Sequence, residues 1–291
     1  MRYINKESSL GTGHEITDNY LNNNCRVADD NGHYHYQNID YDGSFRTSGA
    51  KEEMRSLILM NQGNRCCYCM RDLSEPNQHV TLEHIIPQET DTEEFCKYTS
   101  LRVRFLASTD VTLCNSFCFM PDVNLPPRPH TVTFENLVAS CDGTFPDKAS
   151  TAQCCNNRRG KKFVYPLYLD ENIESEIVYM KNGTMQPKIG CTHEAEYRQS
   201  IENVKLNCSN LKDIRRLWYL LANEDFDDLN ASLNNKNLRV QLLRRVLYRD
   251  VNMILQDNMI YSKFMHDGYW STFLMYHWFY KKYRYLIGLD N

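Results

Sequence analysis

The spacing of its cysteines constrains this chain more than any other feature. Cys66-Cys67-Tyr68-Cys69 places the thiols of Cys66 and Cys69 three positions apart, the close pairing that tetrahedral zinc takes from a chain. Cys141 and Cys155 supply a second pair from farther along, with Cys154 as the alternative to Cys155. Four ligands drawn from separate segments would staple parts of the chain that local propensity cannot bring together. Between the two pairs lies Thr81-Leu82-Glu83-His84-Ile85-Ile86-Pro87-Gln88, an apolar, β-branched run that ends on an acid beside an imidazole.

With 291 residues the chain can bury a substantial core without needing staples merely to fold. The cysteines therefore call for another explanation. No stretch approaches the roughly 18 consecutive apolar residues of a membrane span, and the N-terminal Met-Arg-Tyr-Ile-Asn-Lys lacks the apolar core of a signal peptide. The expectation is a soluble, cytoplasmic protein without a membrane partner. In reducing cytosol, 12 cysteines read as metal ligands or small buried groups rather than disulfides. Cys25, Cys96, Cys191 and Cys208 have no partner at ligand spacing and are read as packing residues.

A net charge of -4 excludes a protein that coats nucleic acid by bulk electrostatics, so any such contact must come from a local patch. Arg158, Arg159, Lys161 and Lys162 form the patch best placed to grip phosphates. Two others, Arg239, Arg244, Arg245 and Arg249, and Lys281, Lys282 and Arg284, read as solvated helix faces.

The periodicity implies an α+β chain in three segments. Residues 1–63 form an extended, loop-dominated arm ending in a lead-in helix over 51–62, where Met54, Leu57 and Ile58 make the apolar stripe and Gly63 the stop. Residues 64–162 hold the thiols and the acid-imidazole pair. Within them, strands are expected over 80–86 and 131–134, a short helix is expected to begin at 136–140, and about 89–130 reads as an insertion containing Cys114, Cys118 and a Leu125-Pro126-Pro127-Arg128-Pro129 break. Residues 163–291 open with a hairpin over 176–187 around Asn182-Gly183 and continue as helices from about 194 to 289. In that helical region Leu238, Leu242, Leu243, Val246, Leu247 and Val251 recur at near-helical spacing, and residues 269–289 are dense in aromatics suited to core packing or to a partner interface.

The chemistry follows from residue types. Hydrolysis of a phosphodiester needs a base to take a proton from water and a divalent ion to stabilise charge on the transition state. His84 suits the first role, because an unperturbed imidazole titrates near neutral pH. Oxygen donors suit the second, pointing to Glu83 and an asparagine carbonyl.

Cys66 to Cys69, Leu82-Glu83-His84-Ile85-Ile86-Pro87, Glu135-Asn136-Leu137 and Cys155-Asn156-Asn157-Arg158-Arg159-Gly160 together resemble the HNH (ββα-metal) endonuclease family. The resemblance implies a zinc-stapled ββα-metal core over about 64–162, followed by a mainly helical C-terminal region. It casts His84 as general base and Asn136 as the residue holding the loop between the strands. Glu83, with Asn156 or Asn157, would hold a catalytic Mg²⁺ or Mn²⁺, while Cys66, Cys69, Cys141 and Cys155 would hold structural zinc. The flanks, Met1-Arg2-Tyr3-Ile4-Asn5-Lys6, Tyr165-Pro166-Leu167, the 176–187 hairpin, and Val204-Lys205-Leu206-Asn207 with Leu211 and Arg215, resemble the PtuB nuclease subunit of Septu-type anti-phage defence systems. That likeness implies nucleic acid, DNA or RNA, as substrate and an ABC/SMC-like ATPase as partner, with a retron RNA and its reverse transcriptase as a further layer in some systems. The competing reading is a non-catalytic zinc module that binds nucleic acid or protein, and the acid beside His84 is what separates the two.

Overall fold

A computed structural model describes residues 1–28, 30, 34–74, 80–107, 111–113, 117–118, 128–144, 154–223 and 282–283. Over these residues the fold is α+β. The chain forms two compact units, neither continuous in sequence: Met1–Cys67 with Val80–Ser140 and Val164–Glu174, and Tyr68–His79 with Cys141–Phe163 and Ser175–Asn291. Residues 64–162 therefore contribute to both.

The first unit opens with helix α1, Leu10–Asn24, followed by strands β1, Arg26–Ala28, and β2, Tyr34–Gln37. A short turn of helix, α2, Ser44–Thr47, leads into α3, Ala50–Asn61. The 15-residue α1 corrects the expectation of an extended arm. Gly11, Thr12 and Gly13 give it poor intrinsic propensity, so it reads as loop. Tertiary packing overrides this, because Gly13, Ile16, Thr17, Tyr20 and Leu21 form one buried stripe at helical spacing. Gly13 is there for close approach, since a Cβ at that position would collide with the ring of Phe134. Helix α3 matches its expected span, buries Ala50, Met54, Leu57 and Ile58, and is followed by Gly63 at φ 60°.

Next come β3, Val80–His84, helix α4, Thr92–Thr99, the two-residue strands β4, Val111–Thr112, β5, Phe117–Cys118, and β6, Arg128–Pro129, and finally β7, Leu137–Cys141. Asp91 caps α4 by accepting from the Glu94 amide at 2.7 Å. Antiparallel β1 and β2 are joined by β5, and β4 pairs in parallel with β6. The β3–β7 pair carries the site. Its direction is antiparallel: the Thr81 hydroxyl meets Ser140 at one end, and the Ile85 amide donates to the Asn136 carbonyl at the other.

Two expectations fail here. Residues 131–134 form a turn entering a 3-10 segment, Phe134–Asn136, because their carbonyls serve side chains rather than a ladder: Thr131 O accepts from His84 and Val132 O from Thr17. Residues 136–140 belong mostly to β7 rather than to a helix. Every residue of Leu-Val-Ala-Ser-Cys is buried, and a short run buried on both faces carries no period that separates strand from helix.

The second unit contains the single helical turn α5, Asn156–Arg159, the turn α6, Ile173–Glu176, shared at its start with the first, and the strands β8, Ile177–Tyr179, and β9, Met185–Pro187. Helices α7, Glu194–Asn203, and α8, Ser209–Asn223, follow. The hairpin forms as expected, with Tyr179 opposite Met185 and Gly183 at φ 80° against the Lys212 carbonyl, where a Cβ would not fit. Asn207 then clamps β9 by bonding both the amide and the carbonyl of Met185, and buried Arg215 donates to the carbonyls of Gly183 and Leu206. Tyr283, from the aromatic segment, is buried beside Tyr179 and Tyr219, as core packing requires. Cys114, Leu125 to Pro127, the apolar run from Leu238 to Val251, the basic residues Arg239, Arg244, Arg245, Arg249, Lys281 and Arg284, and most of 269–289 lie outside the described residues. No helix among the described residues is long and apolar enough to cross a membrane.

Candidate metal centre and histidine site

The Sγ atoms of Cys66, Cys69, Cys141 and Cys155 all lie within 4.8 Å of one another, and all four residues are buried. The Cys69 and Cys141 sulfurs are 3.6 Å apart. A disulfide holds its sulfurs at about 2.05 Å. Tetrahedral zinc with Zn–S bonds of about 2.3 Å separates them by roughly 3.8 Å. The quartet thus has the dimensions of a tetrahedral thiolate site and could hold a metal such as zinc.

Local structure explains how three distant segments supply these sulfurs. The Cys67 amide donates to the Ala139 carbonyl at 3.0 Å, which seats the CxxC knuckle on β7. The Gln62 side chain also pairs with Ala139, accepting from its amide at 2.8 Å and donating to its carbonyl at 2.9 Å. After Cys141 the chain turns at Gly143, whose φ of 75° and close approach to the Cys154 carbonyl exclude a side chain. The Cys155 amide is held by the Val204 carbonyl at 2.9 Å.

Geometry separates the adjacent candidates. Cys155 belongs to the quartet, whereas Cys154 stands beside it with its sulfur 3.3 Å from that of Cys155. The Cys154 thiol is pushed well above the usual range, chiefly by its hydrogen bond with Cys141. Cys154 also contacts Cys208, which has no partner at ligand spacing in the sequence.

The acid-imidazole pair sits at the end of β3, with Glu83 and His84 both buried. His84 Nε2 is 2.8 Å from the Thr131 carbonyl. A carbonyl only accepts, so Nε2 carries a hydrogen, and in the neutral ring Nδ1 then keeps its lone pair. The exposed Gln88 side chain lies 3.3 Å from Nδ1 as a weak donor, and Tyr41 packs edge-on against the imidazole at 4.4 Å.

Asn136 is completely buried and joins the segments on either side of this histidine. Its amide donates to the carbonyls of Ile86, at 2.9 Å, and His130, at 2.6 Å, while its oxygen accepts from the Ile86 amide at 2.6 Å. His130 adds a second tie, donating to the carbonyls of Pro87 and Gln88 at 3.1 and 3.3 Å. Burial lowers the His130 pKa, which keeps its ring neutral for that task. Behind Asn136, the Lys6 ammonium donates to the carbonyls of Phe134, Glu135 and Leu137, while His14 and Thr133 bond the Glu135 carboxylate. Burial pulls Lys6 down to about 7, against the attraction of Glu135. Burial pushes Glu135 up, but the His14 and Thr133 bonds outweigh it and leave the carboxyl below its usual range.

Asn156 and Asn157, half-buried and exposed, start α5 in the second unit, whereas Glu83 and His84 belong to the first. Of the expected phosphate-gripping group, Lys161 and Lys162 are exposed and Arg158 is half-buried. Arg159 is 2% exposed and is a correction to that patch, since a buried guanidinium cannot meet a phosphate in solvent. Lys6, Gln62, Gln88, His130 and Thr131 escaped the sequence reading. Lys6, Gln62 and His130 bond backbone groups far away in sequence, Gln88 reaches the His84 ring and Thr131 offers its carbonyl to it, and nothing in their neighbours reports that.

No protein-family model matches the chain, and no curated protein matches it.

Proposed function

We propose that this protein is a metal-dependent endonuclease of the HNH type, cleaving nucleic-acid phosphodiester bonds with His84 as general base. The observation that carries the reading is the histidine's wiring. With Nε2–H committed to the Thr131 carbonyl, Nδ1 is the basic nitrogen, and the exposed Gln88 amide lies 3.3 Å from it, a long hydrogen bond that an attacking water can displace. A histidine serving only to fill space needs neither a fixed tautomer nor the Asn136 clamp beside it.

Glu83 precedes this base and offers carboxylate oxygen, the donor that Mg²⁺ or Mn²⁺ prefers. Such an ion, when bound, would stabilise charge on the phosphorane-like transition state and the departing oxygen. His84 takes the water proton, and Asn136 and His130 keep the 85–88 loop from drifting away from the base. Zinc in the thiol quartet would fix the scaffold without touching substrate. Exposed Lys161 and Lys162, with Arg158, would position a phosphate backbone without reading its sequence, so the reading covers DNA and RNA alike. A role as effector of an anti-phage complex with an ABC/SMC-like ATPase is supported by the sequence resemblance.

Purified protein, together with an ATPase partner where required, should nick plasmid DNA or cleave RNA in Mg²⁺ or Mn²⁺. His84→Ala should lower the rate by at least about 100-fold while retaining zinc. Undiminished cutting by that variant would sink the mechanism.

A further inference from the structure

We propose that Lys6 is a positioning residue for the histidine site, its side-chain nitrogen fixing the backbone turn that presents Asn136 and, through Asn136, the loop that follows His84. The role rests on the endonuclease reading of that site.

Backbone accounting leads to this assignment. The 3-10 segment Phe134–Asn136 runs directly into β7, leaving carbonyls in a fully buried place where each needs a donor. Asn136 O receives the Ile85 amide at 2.9 Å. The carbonyls immediately around it, those of Phe134 (which also takes the Leu137 amide), Glu135 and Leu137, all receive the Lys6 nitrogen, the last at 2.6 Å. One side chain thus holds the backbone on both sides of Asn136. Lys6 itself is 0% exposed and lies over the Phe134 ring, 4.5 Å from its centroid. Fully buried lysines are rare, because desolvating an ammonium is costly unless its donors are satisfied. Here three acceptors match the three N–H bonds of an ammonium. A neutral amine would still serve two of them, so the strut survives loss of the proton.

The fixed turn has one consequence for chemistry. The side-chain atoms of Asn136 bond Ile86 and His130, and Thr131, which follows His130, supplies the carbonyl that sets the His84 tautomer. Loosening the turn would free the imidazole to rotate or change tautomer without removing any group that touches substrate.

Nitrogen NMR of the full-length protein tests this directly. The wild type should show a slowly exchanging Lys6 side-chain signal and a single His84 tautomer with hydrogen on Nε2. Lys6→Met and Lys6→Gln should both retain zinc, and His84 should give mixed tautomers, more so in Lys6→Met than in Lys6→Gln, which keeps two donors. Nuclease kcat should fall by about 100-fold in Lys6→Met with KM unchanged. An unaltered His84 spectrum in a folded variant overturns the proposal, and so does a rapidly exchanging Lys6 in the wild type should the variants not fold. Wild-type protein without nuclease activity would refute the endonuclease reading, while the NMR arm would still decide whether Lys6 governs His84.

Discussion

The histidine site and the thiol quartet are both buried, but they reach stability by opposite routes. Around Asn136 the polar groups satisfy one another: Lys6, His84, His130 and the Asn136 amide all end on backbone carbonyls. The quartet of Cys66, Cys69, Cys141 and Cys155 gathers side-chain thiols instead, which are weak donors and weak acceptors. Four of them within 4.8 Å of one another could hold a metal ion. One region is a hydrogen-bonded lattice, and the other is a cluster of thiols with the composition of a metal site. The difference teaches that distant segments are tied by hydrogen bonds where backbone can be reached, whereas segments that meet through thiols alone offer metal ligands instead.

Metal removal should break this contrast most sharply. A strong chelator, or Cys155→Ser, should strip zinc and unfold the segments that carry the sulfurs, since structural zinc contributes on the order of 10 kcal/mol to small thiolate sites. Cys154→Ser should keep full zinc content, measured by elemental analysis, because that sulfur lies outside the quartet. Equal zinc loss in both variants would erase the distinction between the two residues.

A smaller effect is expected in the lattice. Asn136→Ala removes three hydrogen bonds and leaves the Ile86 amide and two carbonyls buried without their partner, costing about 3 kcal/mol in a denaturant melt. Zinc content should not change, and a coupled loss of zinc would show that the two regions are one.

Acid should separate them by order. Glu135 has its carboxyl held below the usual range, so its contribution is present above the unfolded value of about 4.3 and is lost as pH falls through the folded value. Thiolate sites release metal as protons compete for sulfur. Zinc release followed with a colorimetric chelator should therefore precede the loss of the Asn136 lattice followed by amide exchange. At the bottom of the scale lies Arg104, which bridges Glu7 and Glu171 in the open. Arg104→Ala should leave the melting temperature unmoved in moderate salt, because solvent screens exposed pairs.

The quartet was legible in the sequence because metal ligation demands particular residue types, and Cys66 with Cys69 is a local spacing. His84 was legible for a similar reason, standing beside an acid at the end of an apolar run. Helix α3 and the 176–187 hairpin were legible through their apolar stripe and the Asn-Gly turn. Helix α1 was not, because its stability comes from Ile16, Tyr20 and Leu21 packing inward while Gly11 and Gly13 argue locally against a helix. Strand β7 was misread because all five of its residues are buried and alternation disappears.

By itself the sequence determined the chemistry on offer: four thiols, an imidazole, a carboxylate beside it, and an asparagine downstream. Only the tertiary structure decided which of Cys154 and Cys155 joins the quartet, that Arg159 is buried, that His84 carries its hydrogen on Nε2, and that Lys6 lies beneath the turn bearing Asn136. Residue type and short spacing are local properties of a chain. The partner of a buried donor is fixed by whichever carbonyl the fold leaves unsatisfied nearby, and in Lys6 that carbonyl lies 131 positions away.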